Sequence, residues 1–259
     1  MPNAPIVNVA GRLSANGQKN LRLPPGCVDG LNLTRLSNSQ VQIGVGCCRS
    51  AADDSDIVNA APITVDITVA GLNGLDTGAE ANDEWYYVWI VLNPTTGVVG
   101  GLLSLSATAP TMPAGFTVKR RIGFVGNGAP PGHFLLFAQT GTGREKSYWW
   151  DIVNTGITRV LSGGAATVYT DVVLGSATGP SVGPVPPPCT QAMVNVATNA
   201  TSNTSIRPDG FTANPAGWAT QASDSNSIPI YCPGQIIEYQ NGSAGGSTAI
   251  VVLVTIDDL

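Results

Sequence analysis

Apolar residues recur along this chain with a period of two. The cleanest case is Ile63, Val65, Ile67 and Val69, with Thr64, Asp66 and Thr68 between them. Strand side chains point alternately to opposite faces, so this spacing predicts a strand with its aliphatic residues on a core and its polar ones toward water or a partner. Residues 41–45 alternate in the same way. Residues 85–93 are different. Trp85, Tyr87, Trp89 and Val91 share one face and Tyr86, Val88, Ile90 and Leu92 the other. Both faces are large and mostly apolar, which predicts a central strand covered on both sides. Asn93-Pro94 stops it and Thr95-Thr96-Gly97 turns the chain, so residues 97–107 read as its hairpin return. Further strands are expected over 117–126, 133–139, 147–150, 168–174 and 193–196, with 228–231 an edge strand because of Pro229. Residues 235–239 and 249–256 read as a hairpin across the glycine-rich stretch 241–246.

These elements predict an all-β fold. Of the 16 aromatic residues, 11 lie between Trp85 and Trp150, and beyond residue 151 Ser, Thr, Asn and Pro take over. The shift suggests two β-sandwich, jelly-roll-like domains, an aromatic-rich one over 41–152 and a second over 153–259. A short extended N-terminal arm, 1–40, precedes them, with small strands expected at 6–9 and 21–23. The stretch 179–188, with five prolines, reads as a long turn inside the second domain.

Composition sharpens this picture. Charged residues make up 11% of the chain, against roughly 25% in an ordinary soluble domain. The 31 glycines and 19 prolines suit short strands joined by many turns. Exposed strand edges are commonly guarded by lysine, yet the chain has only Lys19, Lys119 and Lys146. Edges covered by other subunits are one explanation; loops and prolines are the other. The net charge of −5 argues against nucleic-acid binding, and Lys119-Arg120-Arg121 alternates faces on a strand rather than forming one patch. The longest apolar run, 249–254, is too short to span a bilayer, so no membrane insertion is expected. The first residues lack the charged and apolar regions of a secretory signal, which implies synthesis in a cytosol without a cleaved leader.

Candidate chemistry is sparse. None of Cys27, Cys47, Cys48, Cys189 and Cys232 forms a C-x-x-C pair. Buried free thiols are one reading and disulfides the other, with Cys189–Cys232 the best intrachain candidate because both sit beside prolines in the C-terminal half. Gly179-Pro180-Ser181-Val182-Gly183 matches the nucleophile-elbow pattern, but a proline run cannot supply strand-turn-helix, and the single histidine, His133, precedes the serine. Asp53, Asp54 and Asp56 form a solvated turn or part of a calcium site, without the EF-hand glycine and glutamate. Glu80, Asp83 and Glu84 precede the central strand and read as a polar loop, with a glycosidase pair the sharper alternative. No catalytic, cofactor or metal residues are assigned, and no enzyme activity is expected.

Three segments together resemble a known family: GLDTGAEANDEWYYVWIVLNPTTG (74–97), LSATAPTMPAGFTVKRRIGFVGN (105–127) and GHFLLFAQTG (132–141). They resemble a β-rich domain found in virion structural proteins of tailed bacteriophages, where an LDTG element leads into a W-Y-Y strand. The second half, VYTDVVLGS with PVPPP after it, looks like the domain that often follows. The resemblance implies a non-catalytic virion component made in the host cytoplasm: a compact capsid-decoration, head-fibre or collar-type protein, often a homotrimer, contacting other virion proteins. The alternative is a tail-fibre or tip protein that recognises host-surface polysaccharide, for which Trp149, Trp150 and Trp218 are the candidate glycan-stacking residues. The motif defines no functional residues to carry over.

Overall fold

The computed structural model describes residues 22–128, 133–150, 159–175, 179–181, 183–199, 203–211, 219–220 and 225–259. The expected strand at 6–9 lies outside them, as do Trp218 and Leu21; Arg22 and Leu23, the rest of the strand expected at 21–23, are described and are not in a strand. The protein is all-β, built from several sheets packed against one another.

Two small sheets come first. Strands β1 (Val28–Gly30), β4 (Gly46–Arg49) and β5 (Asp56–Asn59) pair in the order β1-β4-β5. Strands β2 (Leu33–Arg35), β3 (Gln40–Ile43) and β6 (Ile63–Asp66) pair as β2-β3-β6. The alternation holds in β3, where Val41 and Ile43 are fully buried. In β6 it stops early: the Asp66 carboxylate accepts the backbone N–H and the hydroxyl of Thr68, closing a local turn that ends the strand and leaves Val69 exposed. Residues 28–40 are therefore part of the packed body, and the expected arm does not extend through them.

The central sheet contains β7 (Gly74–Leu75), β8 (Glu84–Leu92), β9 (Val99–Ser104) and β10 (Val118–Asn127) in the order β10-β8-β9-β7. Strand β8 is residues 84–92, flanked on both sides, and every residue from Trp85 to Val91 is buried. Its two faces feed two different cores. Trp85, Tyr87, Trp89 and Val91 pack in one cluster with Phe124, Tyr148, Trp150 and the aliphatic residues of the C-terminal half. Tyr86, Val88 and Ile90 pack in another with Val41, Ile43, Ile57 and Val65 of the N-terminal sheets. The β8–β9 hairpin is set by Asn93, whose side-chain oxygen accepts the N–H groups of Thr95 and Thr96 while Gly97 adopts φ 74°.

Strands β11 (Phe137–Thr140), β12 (Glu145–Trp150), β13 (Arg159–Gly164), β14 (Thr170–Val173), β15 (Gln191–Thr198), β16 (Thr204–Pro208), β17 (Ala219–Thr220), β18 (Ser225–Tyr231), β19 (Ile236–Asn241) and β20 (Thr248–Asp258) complete the chain. One sheet runs β11-β12-β20-β15-β18, with β13 also pairing β20; the other runs β14-β19-β16-β17. Two expectations change here. The sheets ignore the boundary expected near residue 152, because β11 and β12 join a sheet with β20, β15 and β18. Strands β19 and β20 are not a hairpin. They lie in different sheets, so the glycine-rich stretch between them crosses from one sheet to the other.

Candidate assembly face

The five-stranded path β11-β12-β20-β15-β18 has an inner face in the core and an outer face away from it. On β12 the even residues Lys146, Tyr148 and Trp150 are buried, so Trp149 points outward. Register carries that direction across the sheet. Trp149 lies opposite Ala138 on β11 and Val254 on β20; Val254 lies opposite Met193 on β15, and Met193 opposite Pro229 on β18. The next row is Ser147, Ile256, Gln191 and Tyr231. Trp149 and Tyr231 are each 48% exposed, and neither row contains a charged residue. A pairing irregularity between Met193 and Val194 accommodates the extra residue Leu253 on β20.

The outer strands of this path carry no lysine. Lys146 is wholly buried, Lys119 lies over the Trp89 ring at 5.4 Å, and Lys19 falls outside the described residues. Pro229 removes one backbone donor from β18. Elsewhere, the outer strand β14 is flanked by exposed Val168 and ends in exposed Val173.

The candidate glycan-stacking residues divide. Trp149 is exposed on the face just described. Trp150 is not available: it is 5% exposed, donates from Nε1 to Thr255 Oγ1 at 3.0 Å, and packs against Trp85, Phe124 and Tyr148. The reason is parity, since adjacent strand residues face opposite ways. Trp218 lies outside the described residues.

Cys189 and Cys232 are brought together at the ends of paired strands: Gln191 lies opposite Tyr231, and the Cys232 N–H donates to Thr190 O at 2.7 Å. Both are buried free thiols. Burial pushes Cys232 up to about 12 and Cys189 well above its ordinary value, so neither is a reactive thiolate.

The carboxylates raised by the sequence are held by separate donors. Asp53 accepts the Gly26 N–H, Asp54 the Ser50 hydroxyl, and Asp56 both the Leu23 N–H and Arg49. Glu80 accepts from Asn127 Nδ2. Burial raises the Glu84 pKa and the neighbouring Asp83 charge adds to it. Asp83 accepts the N–H and hydroxyl of Ser181, while the His133 ring faces the Asn38 amide. The elbow-like glycines are packing residues: a Cβ on Gly179 would lie 1.7 Å from Asp83 O, and one on Gly183 would lie 2.1 Å from Leu174 O. Sequence reasoning missed a carboxylate group formed by Asp171, Asp209 and Glu238, whose oxygens lie within 4.8 Å of one another. Those positions are dispersed in sequence, and Glu238 already accepts from Nε and Nη2 of Arg207 at 2.7 and 3.2 Å.

Comparison with protein-family models, curated proteins and solved structures finds no match to this chain.

Proposed function

We propose that this protein is a non-enzymatic structural component of a tailed-phage virion, a compact capsid-decoration, head-fibre or collar-type protein that assembles as a homotrimer. The observation that carries this reading is a pair of uncharged rows on the outer face, where half-exposed Trp149 and Tyr231 lie with Met193, Ile256 and the buried Val254, beside a charged row of Glu145 and Asp258. An apolar sheet face of this kind, flanked by strands without lysine, suits burial against another protein surface. Contact between identical copies through uncharged rows also avoids the like-charge repulsion expected of a chain with net charge −5. The resemblance of segments 74–97, 105–127 and 132–141 to virion proteins points the same way, and the jelly-roll-like character of the sandwiches belongs to that resemblance.

A second reading is favoured by Trp149 alone. A half-exposed indole on a sheet face is the geometry that stacks on a sugar ring, which would fit a receptor-binding protein for host-surface polysaccharide. Mass spectrometry of purified particles tests the first reading. Peptides of this chain at a fixed stoichiometry to the major capsid protein support it, and their absence from intact particles contradicts it.

A further inference from the structure

Beside Trp89 of the central strand lies an open cleft of about 460 Å³, and its wall is cationic. Arg120, Arg121 and Arg144 all line it, with Trp89 and Asp53. Alternation on a strand would keep Arg120 and Arg121 apart. Both nevertheless line the cleft from β10, the outer strand of its sheet, where they pair in regular register with Ile90 and Trp89.

The three guanidinium groups are not equivalent. Arg121 is committed to Asp257 through two hydrogen bonds of 2.8 and 2.9 Å. Arg144 donates from Nε to Leu259 O at 2.6 Å and lies 3.5 Å from Asp258. Arg120 is half-buried and has no hydrogen bond or ion pair among the described residues. Asp53 shares the cleft, but its carboxylate accepts the Gly26 N–H at 2.9 Å. Burial lowers the Arg120 pKa, and the charges of Arg144 and Arg121 add to that lowering, while Cys48 and Asp53 oppose it. A desolvated cation beside two like charges is what an incoming anion relieves. A guanidinium fork matches the planar geometry of carboxylate and the tetrahedral edge of phosphate.

We propose that this cleft is an anion-binding site, which takes a small ligand by its carboxylate or phosphate group on Arg120, with Arg121 and Arg144 held in place by their own partners. The volume accommodates a ligand of monosaccharide size. The site rests on the cleft alone and is independent of the virion reading.

Isothermal titration of the full chain at low salt, with glucuronate, glucose 6-phosphate and neutral glucose in separate arms, tests it. At least one of the two acids should bind saturably, glucose should not, and the tighter acid tells carboxylate from phosphate. Arg120→Gln should weaken that binding by about tenfold or more, the effect of losing a charge-assisted hydrogen bond. Arg120→Lys keeps the charge without the fork; it should bind more weakly than the parent, and it serves if the glutamine variant does not fold. Arg159→Gln, an exposed residue away from the cleft, should leave binding unchanged. Binding of neither acid, equal binding of glucose, or full affinity in a folded Arg120 variant would overturn the proposal.

Discussion

Arg121 on β10 and Asp257 on β20 stand 136 positions apart in sequence and meet as a two-pronged ion pair with N–O distances of 2.8 and 2.9 Å. The Asp257 side chain is fully buried and that of Arg121 is 15% exposed. The pair pins the outer strand of the central sheet to the β11–β18 sheet. Burial pushes the Asp257 pKa upward against the pull of Arg121. Burial also opposes the Arg121 charge, but Asp257 outweighs it and raises the arginine pKa. Asp257→Ala should therefore destabilise the protein by about 3–5 kcal/mol in urea unfolding, because it strands a buried guanidinium. Replacing both partners, Arg121→Met with Asp257→Leu, should recover most of that loss. Equal losses in the single and double variants would mean that the pair contributes packing alone.

Lys146 is another buried charge, and no carboxylate among the described residues binds it. Its ammonium donates to Gly30 O, Asn32 Oδ1 and Gly141 O at 2.9, 2.6 and 3.0 Å. Burial lowers its pKa to about 8, opposed only by the charge of Asp29. Between about 8 and the ordinary lysine value of 10.5 the unfolded chain binds the proton more tightly than the folded one. This group's contribution to stability therefore rises with pH across that window and is at its least favourable below it. Lys146→Met should remove that slope. It should also cost about 2 kcal/mol or more, because three acceptors in part-buried hydrogen bonds lose their donor.

Adjacent tryptophans give a direct contrast. Trp150→Ala removes a side chain from the aromatic cluster and should cost about 3–5 kcal/mol. Trp149→Ala removes a half-exposed indole and should change the stability of a single subunit far less, while weakening self-association. Similar losses of stability from both substitutions, without any effect on association, would contradict the assignment of Trp149 to an assembly face.

The chain should carry five thiols. Titration of denatured, unreduced protein should count all of Cys27, Cys47, Cys48, Cys189 and Cys232, and the native protein should resist labelling at Cys189 and Cys232. A count of three would indicate one disulfide, with the Cys189–Cys232 pair the first to examine by peptide mapping.

Gly123 supplies a further test. It adopts φ 154° at the β10 irregularity, and a Cβ there would lie 2.2 Å from the Tyr148 hydroxyl oxygen. That oxygen accepts the Phe124 N–H at 3.1 Å and lies 2.6 Å from Gln139 Nε2. Gly123→Ala should force the tyrosine aside and destabilise the protein by about 1–3 kcal/mol, and Tyr148→Phe in the same background should relieve part of it.

Strand β8 was legible because both parities of one run are apolar, and only a strand covered on two faces needs that. Strands β3, β10 and β15 were legible from alternation and bounding turns. What the sequence hid was pairing between distant segments. A glycine-rich stretch after residue 241 suits a hairpin as well as a crossing between sheets, and only the partners of β19 and β20 decide between them. The compositional change after residue 151 reads as a domain boundary, yet β12 pairs with β20 across it. The apolar outer face was hidden for the same reason. Trp149, Val254, Met193 and Pro229 come from four strands, and only register aligns them. The basic residues of β10 read as solvated alternation because Asp257, the partner of Arg121, is remote in sequence.

The central claim is that the uncharged rows through Trp149 and Tyr231 on the β11–β18 sheet are covered by further copies of the same chain. Light scattering coupled to size exclusion tests it most directly, on the full chain and on Trp149→Ser with Tyr231→Ser. The account predicts a mass of three 26.5 kDa chains, about 80 kDa, for the parent and a shift toward the single-chain mass in the variant. A parent that elutes as a monodisperse single chain across micromolar concentrations would contradict it.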